Sequence, residues 1–296
     1  MNMHSWILAA RPRTLPAAII PVFVGSGLAY WAGGFSLWPA IICALFALTI
    51  QIGTNFANDY YDWKQGADTE DRIGPTRAVA SGLIRPATMK VAAFTTLALA
   101  FLIGLSLVYW GGLWLIAIGV ISVLSAVAYT AQPIALGYRG LGDLFVIIFF
   151  GFVAVGFTTY TQVGAFPAIV WPTGLAIGLL ANNLLIVNNY RDHESDAAAG
   201  KRTLIVRLGP GFGEAMVLLS IFVAAALCIG IALIGEHWLV LIALPGLFPV
   251  FSVWQKLPRA LRREGFGPLL QKCATGLIVF GTLLTLALFL SGTGSS

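Results

Sequence analysis

Nine apolar runs, each close to the length that crosses a bilayer, divide this sequence and leave little room for any other fold. They lie near 14–32, 38–58, 91–110, 113–131, 141–160, 170–189, 213–234, 238–254 and 273–291. A hydrocarbon core takes about 20 apolar residues per helix. Every backbone polar group must be satisfied inside it, which long unbroken apolar runs achieve only as helices. The composition agrees: 58% of the residues are hydrophobic, 10% are charged and the mean hydropathy is +0.88. Soluble domains carry about 25% charged residues. A soluble globular enzyme, a disordered chain, collagen and a disulfide scaffold are all excluded. The expectation is an all-α polytopic membrane protein, a single transmembrane domain over 1–296.

The charges orient the spans. Nine crossings put the N-terminus and the second, fourth, sixth and eighth loops on one side. All 17 Lys and Arg fall there, including Arg11 and Arg13, Lys64, Arg72 and Arg77, Arg139, Lys201 and Arg202, and Arg259 and Lys272. This bias predicts a cytoplasmic N-terminus, an outer C-terminus and residence in the plasma (inner) membrane. Of the 12 acidic residues only Glu236 falls in an opposite loop. The chemistry is therefore expected at the cytoplasmic face. The net charge of +5 sits on membrane loops, not on a soluble face, so no nucleic acid is expected as a partner; membrane lipid is. Cys43, Cys228 and Cys273 have no CxxC spacing and read as small core residues.

Two segments concentrate the polar residues. The second span ends in Gln51, Asn55, Asn58, Asp59 and Asp62, and Asp68, Glu70 and Asp71 follow Gly66. At helical spacing the first of these share a face, and a polar stripe on a membrane helix must face the bundle interior or water. The sixth span ends in Asn182, Asn183, Asn188 and Asn189, then Asp192 and Asp196, with Lys201 and Arg202 after Gly200. The stretch 58–62 aligns with 188–192, and both spans run in the same direction. This hints at parallel halves with two carboxylate clusters opposed across one cavity.

Aspartates three or four residues apart on a helix offer hard oxygen ligands without a closed cage. That suits Mg²⁺, which is held by one or two carboxylates with waters and substrate phosphates. Lys201, Arg202, Arg72 and Arg77 are placed to bind the same phosphate oxygens. A single Asp-x-x-Asp at a helix end is as well explained by a solvated, capped loop. Two clusters, each preceded by intramembrane Asn residues, favour the site. Zinc fits poorly, since His4, His193 and His237 lie far apart with no Cys beside them. No nucleophile elbow, phosphate-cradling GxxxxGK[ST] loop or HExxH occurs.

At these residues the sequence resembles the UbiA-type intramembrane prenyltransferase superfamily, above all its branch that acts on 1,4-dihydroxy-2-naphthoate in menaquinone synthesis. The matching stretches are RPRTLPA at 11–17, NDYYDWKQGADTEDRIGPTR at 58–77, YTAQPIALGYRGLGD at 129–143 and NNYRDHESDAAAGKRTLIVRLG at 188–209. The resemblance implies nine helices around a central cavity with an inner-face cap. It implies Mg²⁺-dependent transfer from a polyprenyl diphosphate to the naphthoate. Its first motif maps to Asn58, Asp59, Asp62 and Asp68, its second to Asp192 and Asp196. The last gap of the first motif is longer here than in many relatives, leaving open direct or water-mediated contact for Asp68. Tyr129, Tyr138 and Arg139 match the loop over the cavity, on the acceptor side.

The implied reaction loosens the allylic C–O bond, shelters the prenyl cation from water, and lets the ring carbon attack before CO₂ leaves that carbon. Asp71 and Asp143 are the available candidates for a proton acceptor. Two alternatives stand beside this reading. One is another acceptor: 4-hydroxybenzoate, homogentisate, or a haem- or chlorophyll-type ring. The other is a secondary transporter, disfavoured by the one-sided charges.

Overall fold

The computed structural model describes residues 3–67, 76–234, 237–260 and 263–291, and all regular structure among them is helical. Asp68, Glu70, Asp71, Arg72 and Glu236 lie outside the described residues. A short helix α1 (Met3–Ala10) leads through a 3₁₀ turn into α2 (Leu15–Trp31). Then come α3 (Leu37–Lys64), α4 (Pro86–Leu105), the single turn α5 (Val108–Gly111) and α6 (Leu115–Ala128). The second half holds α7 (Gly142–Val163), α8 (Val170–Ala198), the short α9 (Leu204–Leu208), α10 (Pro210–Ile234), α11 (Trp238–Arg259) and α12 (Arg263–Ser291). Among the described residues eight helical stretches are long and apolar enough to cross a membrane, and α6 is a shorter apolar ninth. These correspond to the nine apolar runs.

Helix α8 is the central post of the bundle, with α2, α7, α10 and α12 packed around it. Its Ile177 and Leu180 join Val24 and Leu28 of α2, Val155 of α7 and Leu277, Phe280 and Leu284 of α12 in the main core. Lipid offers apolar side chains no less favourable a home, so close backbone approach must supply much of the cohesion. It does so between α7 and α8. A Cβ on Gly151 would collide with the Gly174 carbonyl, and one on Gly178 would lie 2.8 Å from the Ile147 carbonyl oxygen. The contact falls where α7 widens into a π-helical stretch, Ile147–Val153. The three cysteines are free and buried, as small core residues would be.

The helix ends differ from the sequence boundaries where it matters. Helix α3 runs past residue 58 to Lys64, and α8 runs past 189 to Ala198. Asp59 and Asp62, and Asp192 and Asp196, therefore ride on the last helical turns. Each helix stops by the same device. Gly66 and Gly200 take φ of +69° and +75°, the Ala67 N–H donates to the Asp62 carbonyl, and the Lys201 N–H donates to the Asp196 carbonyl. A left-handed glycine with this back-bond ends a helix by satisfying its last carbonyls. The shared device registers Asp62 with Asp196, whereas the sequence alignment paired Asp62 with Asp192.

Gly178→Leu forces backbone apart at the α7–α8 contact and costs on the order of 1–3 kcal/mol or more. The measurement is thermal unfolding in detergent. Gly230→Leu on α10, where an added Cβ meets nothing within 4 Å, is the control with little expected change.

Candidate active site

One cavity of about 850 Å³ lies between the ends of α3 and α8 and extends among α3, α6 and α7. Its polar end carries Asp62 from α3 and Asp192 and Asp196 from α8, with Arg77, Arg191 and Lys201. Asp62 binds Arg77 Nη2 through Oδ2 at 2.9 Å and accepts the Tyr138 hydroxyl on Oδ1 at 2.8 Å. Arg191 grips Asp192 with two parallel bonds of 2.7 Å, from Nε to Oδ1 and from Nη2 to Oδ2. Such a fork fixes the carboxylate's plane as well as its charge. Lys201 Nζ stands 3.7 Å from Asp62 Oδ1 and 3.5 Å from Asp196 Oδ1, so one ammonium faces carboxylates of both helices. The two clusters are opposed across one cavity, as their sequence positions suggested.

Other residues singled out from the sequence take different positions. Asp59 is 1% exposed, and its two oxygens accept the backbone N–H groups of Ala78 at 3.1 Å and Val79 at 3.0 Å. Asp59 thus anchors the returning loop while lining the same cavity as Asp62. Asn55 was expected to bind substrate. It lines the cavity, and its amide donates to the Ala10 carbonyl at 2.8 Å and the Thr14 hydroxyl at 3.2 Å, strapping the N-terminal segment to α3. Asn58 accepts the Thr130 hydroxyl at 2.7 Å, and Asn188 donates to the Leu184 carbonyl at 2.9 Å; both line the cavity, as does Asn189. Arg139 and Arg202 do not line it and face a separate pocket on the cap. Asp143 is bonded by Asn182 Nδ2 at 3.0 Å and is not among the residues that line the cavity.

Tyr129, just beyond α6, lines the cavity. Sequence reasoning had left two wall residues without a role. Arg11 enters because the chain turns there in a left-handed conformation, φ 52°, between α1 and α2. Arg191 enters because α8 continues past the membrane span. The apolar end of the cavity is walled by Phe145, Phe149, Phe150 and Phe157 of α7 and Ile118 and Ala126 of α6. The Phe145 and Phe149 rings stack with centroids 5.8 Å apart.

Among the described residues no three Asp, Glu, His or Cys side chains stand close enough to enclose a metal. The donor set nevertheless fits a hard divalent cation held between protein and substrate. Carboxylate oxygens from two helices face one space, His4 and Cys43 line the cavity without forming a metal-binding cluster with them among the described residues, and the remaining ligands would be water and phosphate.

Comparisons with known proteins identify the family. The description of the UbiA prenyltransferase family matches residues 18–265, so the chain belongs to that family. A 1,4-dihydroxy-2-naphthoate octaprenyltransferase of Mycobacterium tuberculosis is 38% identical over 95% of this chain and 99% of its own length. One from Haemophilus influenzae is 36% identical over 98% of this chain and 97% of its own. A UbiA homolog from Archaeoglobus fulgidus bound to DMAPP and Mg²⁺ superposes with a TM-score of 0.61 at 19% identity, covering 93% of this chain and 99% of its own. A UbiA homolog from Aeropyrum pernix K1 reaches 0.67 at 16% identity, covering 97% and 98%. The fold is thus that of this family.

Asp59 and Asp62 separate in experiment. Asp59→Ala leaves two buried amides without acceptors, at about 1–3 kcal/mol each, and lowers the melting temperature in detergent. Asp62→Asn keeps most of that stability and loses turnover. Equal melting temperatures for Asp59→Ala and the unaltered chain would remove the anchoring role.

Proposed function

We infer that this chain transfers a polyprenyl group from a polyprenyl diphosphate to 1,4-dihydroxy-2-naphthoate. Diphosphate and CO₂ are released and a demethylmenaquinol is formed. The observation that carries the reading is one cavity with two unlike ends. Carboxylates and cations from α3 and α8 suit a diphosphate with Mg²⁺, and the phenylalanine-walled arm suits an isoprenoid chain. The naphthoate acceptor is supported by the names of the relatives that match nearly the full chain. The cytoplasmic placement of the site and of the N-terminus is supported by the basic residues all falling on that side.

Asp62, Asp192 and Asp196 hold the cation and its substrate at the polar end, and Asp68 belongs to the same motif. When bound, Mg²⁺ supplies positive charge that offsets the charge gathering on the departing diphosphate. Lys201 and Arg77 reach the same oxygens, and Arg72 is placed by sequence to assist them. As the allylic C–O bond breaks, the apolar walls keep water from the prenyl cation. The new C–C bond forms at the ring carbon bearing the carboxylate, and CO₂ leaves from that carbon. Tyr129 and Tyr138 position oxygen atoms by donating hydrogen bonds. The protein's contribution is positioning and fixed charge.

Detergent-solubilised protein with the naphthoate, a polyprenyl diphosphate and Mg²⁺ should form prenylated product, and EDTA should abolish turnover until Mg²⁺ is restored. Product at equal rate from 4-hydroxybenzoate or homogentisate would overturn the acceptor assignment.

Asp192→Ala should lower kcat by about 10²–10³, the scale of losing one fixed electrostatic contact in a transition state. Lys201→Ala should raise KM for the prenyl diphosphate about tenfold and leave KM for the naphthoate nearly unchanged. Steady-state kinetics with each substrate varied in turn distinguishes these outcomes.

A further inference from the structure

A second pocket, of about 440 Å³, opens on the cap beside the catalytic cavity. Arg139, Arg202 and Arg207 line it, with Gln65, Gln132 and Tyr138, and among the described residues no acidic side chain is part of its walls. Gly140 makes the convergence possible. Its φ is +78°, and a Cβ there would lie 2.7 Å from the Arg202 carbonyl oxygen. The Arg202 N–H donates to the Tyr138 carbonyl at 2.8 Å, and Arg207 Nη2 donates to the Arg139 carbonyl at 2.8 Å. Arg139 Nη2 donates to the Pro133 carbonyl at 2.6 Å. Two of the guanidiniums are thus held by backbone oxygens, with further donors to spare. Among the described residues none of the three pairs with a carboxylate.

Tyr138 is the wall between the two spaces and lines both. On the catalytic side its hydroxyl meets Asp62, and Lys201 Nζ lies 4.7 Å from its ring centroid. An anion leaving the aspartates would pass this residue into a pocket lined by three arginines.

We propose that the arginine pocket of the cap is a second diphosphate site, one that receives the diphosphate released from the catalytic cavity. The assignment rests on the diphosphate chemistry of the preceding reading. The two sites differ in a way that can be measured. A diphosphate among aspartates needs a divalent cation to offset like-charge repulsion. A diphosphate among arginines does not, because guanidinium forks bind phosphate oxygens directly.

The test is equilibrium binding of inorganic diphosphate to the full chain in neutral detergent. With Mg²⁺ two sites are expected; with EDTA one remains. The Arg202→Gln/Arg207→Gln double variant should weaken the EDTA-resistant site at least about tenfold and leave the Mg²⁺-dependent one, which also reports an intact fold. Arg202→Lys/Arg207→Lys should retain part of the affinity. No binding in EDTA, or unchanged binding by the double Gln variant, overturns the proposal. So does equal binding of sulfate, or preferential displacement by phosphatidylglycerol, which would make the pocket an unselective or lipid-headgroup patch. Loss of the Mg²⁺-dependent site alone, with the EDTA-resistant one intact, would count against the proposed function and not against the cap site.

Discussion

Lys201 stands between Asp62 and Asp196, within 3.7 Å and 3.5 Å of their oxygens, and the polar end of the molecule is organised around that contact. Carboxylates from two helices face one enclosed space. Without cations between them, repulsion and desolvation would drive the helix ends apart or neutralise the acids. Arg77 on Asp62, Arg191 on Asp192 and Lys201 across the gap make the convergence stable. A diphosphate with its cation can exchange for part of this pairing, because it brings both signs of charge to the same place.

The remainder of the structure keeps that end fixed. Helix α8 carries two of the acids, so its position sets the site. It is held from one side by glycine-to-backbone contact with α7 and from the other by α10 and α12. Helix α3 carries Asp62 and is tied at its end by bonds that leave it. Asn55 straps the N-terminal segment, and Asp59 receives the loop returning at Ala78 and Val79. Intramembrane polar groups are costly unless satisfied, and here satisfying them also locates the cavity wall.

Much of this was legible in the residues. The nine apolar runs correspond to the helices of the bundle, and Asp62 of the first cluster and Asp192 and Asp196 of the second line one cavity. What spacing left open was the partner each side chain would find. Asp59 and Asp62 are three residues apart on one helix and line one cavity, yet Asp62 meets Arg77 and Tyr138 while Asp59 accepts two backbone amides. Lys201 and Arg202 are neighbours, yet one reaches the catalytic cavity and the other the cap pocket. Beyond a helix end the side-chain period no longer holds, and loop geometry alone chooses which neighbour points inward.

The sequence by itself determined the membrane class, the number of apolar helices and the residue types gathered at one end. Each follows from local physics: a bilayer sets helix length, and hydration keeps charge out of its core. It also marked the helix ends, because Gly66 and Gly200 can take the left-handed conformation at low cost. Only the tertiary structure decided the pairing of Asp62 with Asp196, the anchoring work of Asp59 and Asn55, the bonding of Asp143 by Asn182, and the separation of Arg139 and Arg202 from the cavity. Those outcomes depend on contacts between segments distant in the chain, such as Gly140 against residue 202 and Tyr138 against Asp62. No periodicity in one segment encodes where another segment will lie.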